Sequence, residues 1–206
     1  MRDNKVILFS AGRTGSTFIW QILKEIFPNT EKAHQREMID QFFDKKYDCV
    51  ITVRNVVDSY LSRLRTVFCN GDEKIFLEKI KDKCFLFSDI VGYRDELFYV
   101  KNVFDNYEGR ILILPYKKFY NNFDYVFERI EKFFDIKIAE NEKKLIKNKC
   151  CLKNNIKIQK KLESFKEVDA ETEIHGNHIW SSKDDYSRDL LSKENYKAVE
   201  DFLLNK

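Results

Sequence analysis

The segment that most constrains the fold lies near the amino terminus. Val6-Ile7-Leu8-Phe9 is a short, wholly apolar run. It passes into the polar stretch Ser10-Ala11-Gly12-Arg13-Thr14-Gly15-Ser16-Thr17 and then into Phe18, Ile19, Ile22, Leu23, Ile26 and Phe27 at helical spacing, stopped by Pro28-Asn29. A continuous apolar run of this length suits a parallel strand buried on both faces. Strand, glycine loop and helix in that order form the ground plan of a phosphate-binding α/β fold. The start of such a helix offers unpaired backbone N–H groups and the positive end of its dipole, which favours a cluster of anionic oxygens. Ser16 and Thr17 add hydroxyl donors, and Arg13 adds a fixed charge with a fork of donors. The loop is not a Walker A loop, because Ser16 follows Gly15 where that pattern needs Lys. A simpler reading of the glycines, as a turn for close helix–strand packing, stands beside the anion-binding one.

The rest of the chain repeats the alternation. Cys49–Val53 reads as a second buried strand, turning at Arg54-Asn55 into a helix with Val57, Leu61 and Leu64 on its apolar face. Arg110–Leu114 reads as a third strand, closed by Pro115-Tyr116. The helix beyond it places Phe123, Val126, Phe127, Ile130 and Phe133 on one stripe. Residues 72–107 read as mostly helical, with Gly92 weakening any single long helix. A last helix begins at the capping sequence Ser192-Lys193-Glu194-Asn195 and is expected to bury Tyr196, Val199, Phe202 and Leu203. Residues 138–185 give no clear pattern. Strands alternating with helices predict an α/β fold with a central parallel sheet. At 206 residues, with no linker or repeat, the expectation is one domain over 1–206.

The 15% aromatic content excludes intrinsic disorder, and 6 Gly with 2 Pro argue against a turn-rich all-β chain. A net charge of +3 is too balanced to suggest general nucleic-acid or membrane binding. Charge is nonetheless uneven: residues 137–166 hold ten Lys against three Glu, either a solvated helical face or a basic cover over an anionic ligand. The five cysteines lack C-x-x-C spacing, and the adjacent Cys150 and Cys151 read as two buried or half-buried thiols. No apolar run approaches the ~20 residues of a membrane span, and the start lacks a signal-peptide core, so a cytoplasmic chain is expected.

Arg54 stands at the carboxyl end of its strand, where open α/β sheets bind ligands. Ser62 follows eight residues later and can face the same crevice, so the pair suits a second phosphate. The alternative for Arg54 is a surface pair with Asp58.

Taken together, Arg13-Thr14-Gly15-Ser16-Thr17 and Arg54-Asn55-Val56-Val57-Asp58 through Ser62 resemble the sulfotransferases that use 3′-phosphoadenosine 5′-phosphosulfate (PAPS). The first segment is similar to the family loop that holds the 5′-phosphate. The second is similar to the Arg-Asn-Pro-x-Asp-x-x-x-Ser segment whose Arg and Ser bind the 3′-phosphate, with Val56 in place of proline. Glu31-Lys32-Ala33-His34 stands where family members carry Lys-Thr-His at the end of the second strand. Leu114-Pro115-Tyr116 resembles the strand end whose Tyr lies near the adenine, and the family often has an aromatic near Phe18 as well. The likeness runs from residue 5 to about 134. The carboxyl-terminal Arg-Lys-Gly of cytosolic members is not found. His175-Gly176-Asn177-His178 through Lys183 looks instead like the loop before the last helix in bacterial-type members, where Lys183 or Ser182 caps the cofactor.

The resemblance implies a three-layer α/β/α, P-loop-like fold and sulfuryl transfer from PAPS to a hydroxyl or amine acceptor, a glycan or small metabolite. The product is 3′,5′-ADP (PAP), and no metal is required. In the implied chemistry His34 is the base, and Lys32 and Arg13 stabilise charge on the bridging and 5′-phosphate oxygens. Glu25 and Glu37 are alternative bases. The implied cofactor contacts are Arg13, Thr14, Gly15, Ser16, Thr17, Phe18, Arg54, Ser62, Tyr116 and Lys183. His175 and His178 are weak metal candidates, because Gly176 lies between them and no third ligand is near. Competing readings are a nucleotide or small-molecule kinase with a degenerate P-loop, and a non-catalytic nucleotide-binding module.

Overall fold

The computed structural model describes residues 5–33, 47–176, 179 and 186–205. Its centre is a four-stranded, all-parallel sheet flanked by helices. The strands are β1 (Val6–Phe9), β2 (Glu31–Ala33), β3 (Asp48–Val53) and β4 (Ile111–Pro115), in the spatial order β2-β1-β3-β4. The chain moves from β1 to β2 on one side, then returns past β1 to β3 on the other. The topological switch point therefore lies between β1 and β3, the place at which open α/β sheets bind their ligands.

The residues fall into two compact units. The first comprises residues 1–54 and 100–155 and contains the sheet. Here α1 (Ser16–Ile26), α6 (Tyr116–Phe119), α7 (Phe123–Phe134) and α8 (Glu140–Cys150) build one core with the strands. All four residues of β1 are buried, as an apolar strand with two covered faces requires. Phe27 and Phe134 meet at 4.5 Å between ring centroids within this core. Arg110 forks onto Asp48 at 2.8 and 2.7 Å, joining the start of β4 to the start of β3.

The second unit comprises residues 55–99 and 156–206. Its helices are α2 (Val56–Phe68), α3 (Glu73–Lys79), α4 (Lys83–Leu86), α5 (Ile90–Asn106, which continues into the first unit), α10 (Ser187–Leu190) and α11 (Lys193–Leu204). A short α9 (Leu152–Gln159) straddles the boundary in sequence. Val57, Leu61 and Leu64 are fully buried, together with Tyr60 and Tyr93. Asp72 and Asp82 cap α3 and α4 through their side chains, so the 72–107 region breaks at these caps.

Four details depart from the sequence reading. Gly92 does not interrupt a helix but lies in the first turn of α5. The buried stripe of α7 ends on Phe134 and leaves Phe133 partly covered, because Phe134 lies closer to the line through Val126, Phe127 and Ile130. Phe202 is 37% exposed rather than buried, about a quarter-turn off the Tyr196–Val199–Leu203 line. The Arg94 guanidinium covers its ring at 5.0 Å. Finally, residues 138–185 include α8 and α9.

Candidate functional site

The loop leaving β1 bends through two left-handed residues, Arg13 at φ 69° and Gly15 at φ 85°. Alternation of this kind turns successive backbone N–H groups toward one side, a concavity suited to an anion. Gly15 is the residue that precedes α1, and no side-chain cap bonds there; the first turn of α1 also carries no acidic residue. Space enforces glycine at position 15 as well. A Cβ there would lie 2.8 Å from both Phe119 Cζ and Tyr116 Cδ2.

Lys32, on β2, donates from Nζ to Thr17 Oγ1 at 2.9 Å, which brings an ammonium to the first turn of α1. It also stands 5.9 Å from the centroid of the buried Trp20 ring. Arg54, at the end of β3, lays its guanidinium 4.2 Å from the centroid of Tyr116. It also donates from Nη1 to the Arg13 carbonyl at 3.4 Å. Tyr116 stacks in turn on Tyr120 at 5.1 Å. Arg13, Lys32 and Arg54 thus contribute three cations to the structure around the β1 loop and the adjoining strand ends, the end of an open sheet at which charged ligands bind.

Thr14 is 4% exposed, and its hydroxyl turns inward, bonding the Ala11 carbonyl at 2.8 Å and Thr52 Oγ1 at 2.7 Å. Ser16 and Thr17 are buried in the first turn of α1. Phe18 packs on Phe119 at 6.2 Å and edge-on to Phe123 at 5.1 Å. Glu25 is exposed and paired with Lys149 at 2.8 Å. It lies about 13 Å along α1 from Ser16, at ~1.5 Å of rise per residue. It is therefore remote from the loop.

In the second unit, Asn55 caps α2 by accepting from the Asp58 N–H at 3.0 Å, and its Nδ2 donates to Tyr196 Oη at 2.9 Å. Val56 takes the first helical position, where proline is tolerated because no intrahelical partner is lost there. Asp58 is fully buried and accepts the Ser187 N–H at 3.0 Å, and Tyr186 Oη donates to the Asp58 carbonyl at 2.8 Å. The sequence alternative that gave Asp58 to Arg54 missed this anchoring of α10. Ser62 is buried in the second turn of α2.

His34, Glu37, His178, Ser182 and Lys183 lie outside the described residues. His175 Nδ1 lies 2.8 Å from the Phe165 carbonyl, and its ring stacks on Phe165 at 4.7 Å. Among the described residues no group of His, Cys, Asp and Glu is placed to hold a metal. Of the Lys-rich run, Lys143 pairs with Glu131 and Glu140, Lys147 with Asp124, and Lys149 with Glu25. These pairs belong to a helix surface. Cys49, Cys69, Cys84, Cys150 and Cys151 are all free thiols, with Cys150 buried and Cys151 half-buried.

Sequence reasoning missed Ser10 and Thr52. Ser10 Oγ donates to the Phe9 carbonyl at 2.6 Å and accepts from the Thr52 N–H at 2.8 Å and from Thr52 Oγ1 at 2.7 Å. Their signal was available: a hydroxyl in a strand buried on both faces, as at Thr52, or directly after one, as at Ser10, must find an internal partner.

No protein-family model matches the chain, and no curated protein matches it in sequence. Solved structures do match it. The crystal structure of mouse sulfotransferase SULT7A1 complexed with PAP aligns with a TM-score of 0.63 at 14% identity, covering 98% of this chain and 83% of that one. Among the described residues no helix is long and apolar enough to cross a membrane. With a parallel sheet in the order β2-β1-β3-β4 and a glycine loop leading into α1 at its switch point, the chain has a sulfotransferase-like α/β fold.

Proposed function

We propose that residues 1–206 act as one PAPS-dependent sulfotransferase domain, moving a sulfuryl group to a hydroxyl or amine of a glycan or small metabolite. The observation that carries this reading is the loop 10–17 itself. On a sulfotransferase-like fold it combines two left-handed turns, an uncapped helix start and the Lys32–Thr17 contact, all of which suit a phosphosulfate group. PAPS, when bound, supplies the activated sulfuryl group.

The chain's own residues then act by charge and position. Backbone N–H groups at Gly15, Ser16 and Thr17 bind the 5′-phosphate oxygens, with Arg13 and Lys32 countering charge that builds toward the leaving group. Arg54 supplies a charge-assisted contact to the 3′-phosphate, and Ser62 keeps the hydroxyl role implied by the resemblance. Tyr116 and Phe18 offer aromatic surface to the adenine. Lys183 is retained as the capping cation. His34 takes the acceptor proton on an imidazole nitrogen. The roles follow residue by residue from the motif match. The inward-turned hydroxyl of Thr14 makes its share in binding a matter of loop shape.

The test is calorimetric titration with 3′,5′-ADP, 5′-AMP and ATP–Mg²⁺ at fixed salt. Micromolar binding of 3′,5′-ADP, with a large loss when the 3′-phosphate is absent, is the expected result. Preference for ATP–Mg²⁺ would promote the kinase reading, and binding of none would leave a fold without this cofactor.

A further inference from the structure

We propose that Thr52 is a positioning residue that keeps the β1 loop in binding shape and in register with Arg54, through a buried chain of hydroxyls. The proposal rests on the reading of loop 10–17 as the cradle for the 5′-phosphosulfate.

β1 and β3 pair as Val6↔Asp48, Ile7↔Cys49 and Leu8↔Val50. Beyond that ladder side chains take over, and the Thr52 N–H donates to Ser10 Oγ instead of a backbone carbonyl. Each hydroxyl has one proton to give. With Ser10 donating to the Phe9 carbonyl and Thr52 Oγ1 donating to Ser10 Oγ, Thr14 shares its proton between the Ala11 carbonyl and Thr52 Oγ1. The chain therefore runs one way, from Thr14 through Thr52 and Ser10 to the end of β1. Ser10, Thr52 and Thr14 are 0%, 1% and 4% exposed, so water does not compete and the bonds reinforce one another.

The place of this chain gives it consequence. Thr14 lies between the two left-handed residues of the loop, and a non-glycine residue such as Arg13 holds that conformation only where its surroundings over-determine it. Thr52 grips the loop at that midpoint. Two residues later on the same strand end, Arg54 reaches the Arg13 carbonyl. One strand end thus fixes both the loop's shape and the cation assigned to the 3′-phosphate.

Thr52→Val keeps the side-chain volume and removes the hydroxyl, whereas Thr52→Ser keeps the hydroxyl and removes a methyl. The full chain and both variants are titrated with 3′,5′-ADP, and amide hydrogen exchange is read at Gly15, Ser16 and Thr17 without ligand. Thr52→Ser should bind within about twofold of wild type. Thr52→Val should bind about tenfold more weakly, as when roughly one loop in ten holds the binding form. Exchange at the three amides should quicken about tenfold in Thr52→Val alone. Unchanged binding and exchange in Thr52→Val, or an equal loss in Thr52→Ser, would overturn the proposal, the second by showing that packing is what matters. If Thr52→Val loses its cooperative unfolding transition, Ser10→Ala is judged by the same thresholds. If the wild-type chain binds no 3′,5′-ADP, the proposed activity falls, and the exchange rates alone decide whether Thr52 holds the loop.

Discussion

Replacing Gly15 by Ala adds one carbon at a point where the backbone and its neighbours both resist it. The φ of 85° is left-handed, which costs an L residue ~1–2 kcal/mol. The new Cβ would meet Phe119 Cζ and Tyr116 Cδ2 at 2.8 Å and Phe119 Cε2 at 2.9 Å, and pushing ring atoms aside in a packed core costs ~1–3 kcal/mol. Against this, Ala restricts the unfolded chain and returns ~0.4–1 kcal/mol. The expected net destabilisation is about 1–4.5 kcal/mol, read from urea unfolding. A double-mutant cycle with Phe119→Leu isolates the Phe119 share of the cost, because a smaller neighbour relieves that contact and leaves the backbone strain and the Tyr116 contact. A coupling of about 1 kcal/mol or more is expected. Additivity within ~0.5 kcal/mol, or a single-variant loss under ~1 kcal/mol, would refute the argument that steric closure selects glycine here.

Arg54→Ala should remove most of the preference for 3′,5′-ADP over 5′-AMP, a loss of ~2–3 kcal/mol for one charge-assisted contact, measured by calorimetry; an unchanged ratio removes Arg54 from the site. Burial pushes the Cys49 and Cys150 thiols up to about 12, and it also raises Cys69, whereas Cys84 is exposed. Thiol titration of the native chain at pH 8 should therefore label Cys84 first and Cys151 next, and reach the other three on unfolding; rapid reaction of all five would contradict the packing. The Ile138 N–H, followed by Lys143, holds the Glu131 carboxyl below its ordinary value of 4.5. A depressed folded pKa stabilises fully above the unfolded value and is lost as pH falls through the folded one. Acidification below about pH 4.5 should thus lower the urea midpoint, and Glu131→Gln should flatten that slope; an equal slope in the variant would exclude Glu131 as a source.

The elements legible in the sequence were those with continuous or regularly spaced apolar residues. Val6–Phe9 announces itself because two covered faces leave no polar positions; Ile111–Leu114 is apolar throughout although its residues alternate between half-buried and buried; and α1 shows through its apolar spacing and the Pro28 stop. β2 gave no such signal: Glu31-Lys32-Ala33 is a three-residue edge strand with Glu31 and Lys32 half-exposed, and the resemblance alone pointed to it. α8 and α9 were hidden because lysines dominate their open faces and few buried positions, such as Ile146, Cys150 and Asn155, mark their inner sides. At the site, Arg13, Lys32 and Arg54 were readable as cations next to glycine or strand ends. Their holders were not. Tyr116 beneath Arg54 and Thr52 behind Thr14 depend on contacts between residues about 40 to 60 apart in sequence, and no local pattern encodes those.

The bare start of α1 has a consequence for the chain's thermodynamics. A helix of this kind usually satisfies its leading donors with its own side chain or a nearby carboxylate, and here that task is left open at Gly15. Under the proposed reading an external anion completes the helix, so the folding free energy belongs jointly to the polypeptide and to the solution around it. Ligand at a hundred times its Kd would deepen the native well by ~2.7 kcal/mol. The nucleotide-free chain is then the fragile form, most open to proteolysis, and its lifetime would follow the supply of its own cofactor.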